Sequence, residues 1–338
     1  MAERDGAIEK FLEAQHWGGA RRAKLAGDAS FRRYERITDC CRSAVLMDAP
    51  PAKEDVRPYL AVARILKGLG YSAPEIYGED VAGGLLLIED LGDDTFTKVL
   101  ANSDETAERA LYAAAVDVLI DLHRRDPGSV TAGIPDYDDE KLLAEAALLV
   151  DWYLPAITGE PISDRLRREF LDLWRSLFPT ARATKSTLVL RDYHVDNLMW
   201  LPARQGLARV GLLDFQDAVR GPISYDLVSL LEDARRDIRP DLAAEMFERY
   251  VANSPALDGE AFAASYAILG AQRNCKIIGI FTRLCVRDGK PVYLGHIPRV
   301  WRLIEQDLDH PALRPLAEWL ARHIPPVLRR IPPCKSAA

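Results

Sequence analysis

No stretch of this chain is apolar for long enough to span a bilayer. A helical membrane anchor is excluded, and no membrane partner is expected. The N-terminus, Met1-Ala2-Glu3-Arg4-Asp5, is polar and mixed in charge, and no apolar signal core follows it. A cytoplasmic location is the expectation. Cysteine is scarce: Cys40, Cys41, Cys275, Cys285 and Cys334 are odd in number and show no metal-ligand spacing. That argues against a thiolate metal centre and a disulfide framework, and free thiols are expected. An excess of positive charge is lacking too. Lys and Arg number 44 against 51 Asp and Glu, a formal charge of −7. Nucleic acid, whose phosphates call for a basic stripe, is therefore not an expected partner. There is no internal repeat, no Gly-x-Gly-x-x-Gly run and no sign of an obligate protein partner.

What is present fits a globular chain. Nearly half of the 338 residues are apolar and about a quarter are charged. The length suits one large two-lobed domain or two small ones. Ile8, Phe11 and Leu12 predict an amphipathic helix over Gly6–Trp17. A β-rich segment follows, with strands expected over Phe31–Ile37, Ala44–Met47 and Leu85–Ile88. Between them a helix is expected over Asp55–Leu69, stopped at Gly70. After Gly92 helical spacing dominates: Glu105–His123, Asp139–Ala156, Ser163–Leu177, Tyr225–Ala234, Asp241–Ala252 and Ala261–Leu284. Two short strands, Thr187–Leu190 and Ala208–Leu213, interrupt the helices and are expected to be neighbours. The Pro-rich tail after Ile324 is expected to be dispensable and partly disordered. The pattern predicts an α+β chain. A small β-rich N-terminal lobe covers residues 1–91, a hinge lies at Glu89–Gly92, and a larger, mostly helical lobe covers residues 92–338. A cleft between two such lobes is a common place for a nucleotide.

The stretch with most chemistry is Leu190-Arg191-Asp192-Tyr193-His194-Val195-Asp196-Asn197, followed by Leu212-Leu213-Asp214-Phe215. An Asp at a strand end, an Asn five positions later and a second Asp after the next apolar run supply what phosphoryl transfer needs. Asp192 can accept the proton of an attacking hydroxyl. The amide oxygen of Asn197 and the carboxylate of Asp214 are hard donors suited to Mg2+, with phosphates and water completing its shell. Either Asp or the Asn alone would read as a turn residue; the three in this order, behind a β-rich segment, do not.

The pattern resembles the aminoglycoside phosphotransferase family, which shares the protein-kinase-like two-lobed fold. Within it the chain is similar to the bacterial N-acetylmuramate/N-acetylglucosamine anomeric kinases. The likeness rests on Asp28-Ala29-Ser30-Phe31-Arg32-Arg33-Tyr34, Leu46-Met47-Asp48-Ala49-Pro50-Pro51 and Leu190 to Leu198. Gly221-Pro222-Ile223-Ser224-Tyr225-Asp226-Leu227 and Arg287-Asp288-Gly289-Lys290 add to it, and it runs from about Phe11 to Ile304. It implies ATP- and Mg2+-dependent transfer to the anomeric hydroxyl of an N-acetylated amino sugar, in peptidoglycan recycling. Asp192 would be the base, Asn197 and Asp214 the metal ligands, and the Glu89–Leu91 backbone would meet the adenine. The Gly27–Ser30 turn would lie over the phosphates, though it reads equally as a plain hairpin turn. Arg191, Tyr193, His194, Asp217 and Tyr225 are candidates for the sugar, and Asp226 for bracing the catalytic loop.

Two departures from the family pattern stand out. The family has His-Gly before the catalytic Asp, and here Leu190-Arg191 takes those places. A Lys is expected on the strand Ala44–Met47, and the following helix lacks the Glu that would pair with it. Loss of both points to substitution, since a lone survivor would be a stranded charge. Arg33 is the preferred replacement, on the cleft face with Phe31 by strand alternation; Arg32 and Lys53 are the alternatives. Two other readings stay open: a kinase of another small hydroxyl compound, such as an aminoglycoside, choline or homoserine, and a non-catalytic nucleotide-binding pseudokinase.

Overall fold

The structure, a computed structural model, describes residues 2–25, 31–254 and 257–333. Among the described residues nine strands run in chain order: β1 (Arg21–Lys24), β2 (Arg33–Asp39), β3 (Arg42–Asp48), β4 (Ile76–Asp80), β5 (Leu85–Glu89), β6 (Ser186–Val189), β7 (Leu198–Trp200), β8 (Val210–Leu212) and β9 (Val219–Pro222). The chain divides into two compact units. One is Met1–Ala114 with Val195–Asp217; the other is Ala115–His194 with Ala218–Ala338. The N-terminal lobe expected over residues 1–91 falls inside the first unit, which extends further and takes back a later segment.

The first unit is built on an antiparallel sheet of order β1-β2-β3-β5-β4. Alternation along its strands separates two faces. Ile37, Ala44, Leu46, Leu85 and Leu87 pack against Ile8, Phe11 and Leu12 of the helix Ala2–Ala14. Tyr34, Arg36, Val45 and Ile88 face the other way. β1 and β4, which the sequence did not announce, are the two edges of the sheet. Edge strands carry charge and lack apolar alternation, and Arg21-Arg22-Ala23-Lys24 is an instance. The helix Arg57–Gly68 ends as expected, with Gly70 in a left-handed turn at φ 88° and Tyr71 N bonded to Leu66 O at 3.0 Å.

The expected pairing of Thr187–Leu190 with Ala208–Leu213 is not formed. β8 pairs with β7 as a hairpin in the first unit, while β6 pairs with β9 in the second. The three- and four-residue strands β7 and β9 are too short to show periodicity. Leu212 N bonds to Ser72 O at 2.9 Å, and Trp200 N to Asp94 O at 2.8 Å, which ties the hairpin into the first unit.

The second unit is helical around β6 and β9, and its core is crossed by the thirty-residue helix Gly259–Asp288. The helix expected over Asp139–Ala156 runs Asp139–Leu148, widens into a π turn over Leu149–Tyr153 and resumes at Leu154. Pro155 explains the break, because it has no N–H and crowds the carbonyl one turn back. The tail is not loose as far as it is described. Tyr153 Oη lies 2.6 Å from Leu328 O and 2.8 Å from Arg330 O, and Arg329 pairs with Glu305 at 2.6 Å. Cys40, Cys41 and Cys275 are free, but Cys285 is disulfide-bonded, against the all-thiol expectation. Among the described residues no helix is long and apolar enough to cross a membrane.

Candidate active site

In the first unit the β7–β8 hairpin brings Asn197 and Asp214 together. Leu213 N donates to Asn197 O at 3.0 Å, closing the hairpin mouth. Asn197 Nδ2 then lies 3.5 Å from Asp214 Oδ2. Asp214 holds a left-handed backbone, φ 56°, which Asp tolerates better than most residues. Next to it Phe215 is buried and stacks on Tyr59, ring centroids 4.9 Å apart, anchoring the turn. Gln216 Nε2 donates to Asp214 Oδ1 at 2.9 Å, while Gln216 Oε1 is buried with no hydrogen-bond partner. An amide oxygen and a carboxylate side by side, with a buried amide acceptor adjoining, fit a small hard cation such as Mg2+. Among the described residues no group of three or more His, Cys, Asp or Glu could hold a metal, so phosphate and water would complete the shell.

Asn197 and Asp214 also line a cavity of about 270 Å³ in the same unit. Leu25, Val45, Ile88, Leu91, Met199 and Leu213 give it apolar walls, and Glu89 to Asp93 run along it. Glu89 and Leu91 of the expected hinge are therefore part of the wall. Arg36, which carried no expectation from the sequence, holds that segment. Its guanidinium reaches Asp90 at 2.8 Å, Asp93 at 3.0 Å and Gly92 O at 3.2 Å.

The two neighbouring arginines are placed differently from the expectation. Arg33 is exposed and shares the face of Glu35 and Ile37, away from the cavity. Phe31 is 58% exposed and stacks under Lys53 Nζ at 4.1 Å, so it is not a wall of the cavity either. The alternation runs through Tyr34 and Arg36, not through Phe31, and places Arg32 on the cavity side. Arg32 Nη2 lies 3.6 Å from Asp214 Oδ1. Ser30 and the rest of the Gly27–Ser30 turn lie outside the described residues.

In the second unit the loop after β6 carries Asp192. Asp226, fully buried, accepts from Leu190 N at 2.6 Å and Arg191 N at 2.8 Å. Burial pushes its carboxyl up to about 7, opposed by those two N–H groups. These two bonds tie Asp226 to the backbone just before Asp192. Arg191 takes a left-handed backbone, φ 69°, a strain of about 1–2 kcal/mol for a residue with a Cβ. Its guanidinium bonds to Glu145. Tyr193 is buried and its hydroxyl donates to Ala115 O at 2.8 Å. His194 is buried, and burial lowers its imidazole pKa, favouring the neutral ring. Tyr225 is buried edge-on to Tyr137 at 5.2 Å. Asp217 belongs to the first unit, exposed, 3.4 Å from Gln216 Nε2. Burial would raise the Glu145 carboxyl, but Lys276 and Arg191 outweigh it and hold it below the ordinary value.

A small antiparallel N-terminal sheet, a helix-rich C-terminal part, and an Asn–Asp pair at a strand-hairpin mouth define a kinase-like phosphotransferase. The chain belongs to the phosphotransferase enzyme family, whose model matches residues 22–262. It is similar to the N-acetylmuramate/N-acetylglucosamine kinase of Caulobacter vibrioides, at 38% identity over 97% of this chain and 99% of the relative. The protein of the same description from Pseudomonas aeruginosa is 36% identical over 94% of each. Among solved structures, a choline kinase from Streptococcus pneumoniae superposes with a TM-score of 0.60 at 13% identity, covering 91% of this chain and 100% of that one. An ADP-bound aminoglycoside phosphotransferase gives 0.59 at 14%, covering 90% and 97%. At those identities the likeness speaks for the fold alone.

Proposed function

We propose that this protein transfers the γ-phosphoryl group of ATP to the anomeric hydroxyl of N-acetylmuramate and N-acetylglucosamine, a cytoplasmic step yielding a sugar 1-phosphate. The observation that carries the reading is the 36–38% identity to kinases of that description across nearly the whole chain. Asp192 takes the hydroxyl proton as the sugar oxygen bonds to the γ-phosphorus and the bond to the bridging oxygen of ADP breaks. Asp226 fixes the Asp192 loop by its two main-chain contacts. Asn197 and Asp214 would hold Mg2+, with Gln216 orienting Asp214. Magnesium, when bound, offsets the charge of the phosphates. The apolar cavity takes the adenine, and Arg32 supplies the cation missing from β3.

The test is a panel of acceptors with ATP and Mg2+: the two amino sugars, an aminoglycoside, choline and homoserine. We expect ADP release with the amino sugars alone, and phosphorus NMR placing the new ester on the anomeric carbon. Activity confined to amino-alcohols, or ester at another hydroxyl, defeats the reading. Nucleotide binding without turnover on any acceptor would mark a pseudokinase. Asp192→Ala should cut kcat by about a thousandfold or more, a general base and its positioning being worth that much, with an unchanged melting midpoint.

A further inference from the structure

In the second unit two cations meet on one carboxylate. Glu145 Oε1 accepts from the Arg191 guanidinium, and Lys276 Nζ lies 3.0 Å from the same oxygen. Glu145 Oε2 accepts from the Tyr137 hydroxyl and, at 3.4 Å, from Gln272 Nε2. The Arg191, Glu145 and Lys276 side chains keep 19, 14 and 14% of their surface exposed. Asp192 lies close enough to act electrostatically on both cations. Bracing the loop needs one cation for Glu145; the second is surplus to it. Arg191 also stands at a left-handed position, φ 69°, where the family pattern has glycine. A side chain retained there against the backbone's preference marks a function that glycine cannot supply.

We propose that Arg191 and Lys276, oriented by Glu145, bind an anionic substituent of the acceptor: the lactyl carboxylate by which N-acetylmuramate differs from N-acetylglucosamine. The inference rests on the sugar-kinase reading and adds the residues that sort its two acceptors. A guanidinium offers a planar pair of donors to a carboxylate, and an ammonium adds a point charge. Arg220 is engaged elsewhere: it pairs with Asp136 at 2.5 Å on the surface.

Steady-state kinetics on both sugars with Arg191→Gly, Lys276→Met and Lys276→Arg test this. Either Arg191→Gly or Lys276→Met leaves Glu145 one cation, so no carboxylate is stranded, and Gly suits the backbone at 191. In both, kcat/KM for N-acetylmuramate should fall about thirtyfold further than for N-acetylglucosamine, the worth of one charge-assisted contact. The loss should lie mainly in KM, and Lys276→Arg should restore most of it. An equal fall for both sugars, or no fall, overturns the inference while leaving the kinase reading intact. A wild-type protein inactive on both sugars overturns the reading and the inference together.

Discussion

Arg32 and Arg33 are chain neighbours with one side chain type, and only strand geometry tells them apart. Successive residues of a strand point to opposite faces, so one of the two reaches Asp214 and the other meets solvent. Arg32→Ala should raise the KM for ATP about tenfold, the loss expected for one phosphate-side charge, while Arg33→Ala should stay close to wild type. ATP titration at saturating sugar reads both. The reverse ranking would mean that the face assignment is wrong. At this scale the sequence was most legible where a residue's type carries the chemistry, at Asp192, Asn197 and Asp214. It was least legible where orientation decides. Tyr193 and Tyr225, candidates for the sugar by their nearness to the base, are both buried. Glu145 and Gln216 owe their places to partners or turns that no local pattern announces.

At the scale of elements, the second unit depends on one close helix approach. A Cβ added to Gly279 would lie 2.3 Å from the Leu148 carbonyl carbon and 2.4 Å from Leu148 Cβ, just before the π turn. Neither atom is the far end of a flexible side chain, so the helices must part. Gly279→Ala should destabilise the protein by about 1–3 kcal/mol, the usual cost of overpacking. Gly6→Ala, in a helix with nothing within 4 Å of the added atom, should stabilise it by about 0.5–1 kcal/mol through helix propensity. Urea unfolding of the two variants tests the contrast, and a neutral Gly279→Ala would show the contact to be slack. Long helices and buried strands were readable from their periodicity. The edge strands β1 and β4 and the short strands β7 and β9 were not, because charge or brevity erases the pattern there.

For the whole molecule, buried acids set a pH response. Glu232 is buried with Asp307, and Asn274 Nδ2 donates to both, at 2.7 and 3.3 Å. Burial pushes Glu232 up to about 7 and raises Asp307 as well. Between the ordinary carboxyl value of 4.5 and about 7 the folded protein keeps a proton that the unfolded chain has lost. The stability this contributes is fully present below that window and is lost as pH rises through it. Glu232→Gln should flatten the fall in stability across that range, since the buried pair then has one fewer proton to lose as pH rises. Denaturation at a series of pH values checks it, and an unaltered slope would show that Glu232 does not hold the proton.

The sequence by itself determined the family, the α+β order and the identities of the base and metal-ligand candidates, because those reside in residue types at short, fixed spacings. The tertiary structure alone decided that β8 pairs with β7 and not with β6, that Arg32 and not Arg33 approaches Asp214, and that Arg191 and Lys276 share Glu145. Each of these depends on strand register or on helices distant in sequence coming into contact. A chain's local pattern carries no record of which face, or which faraway partner, packing will select.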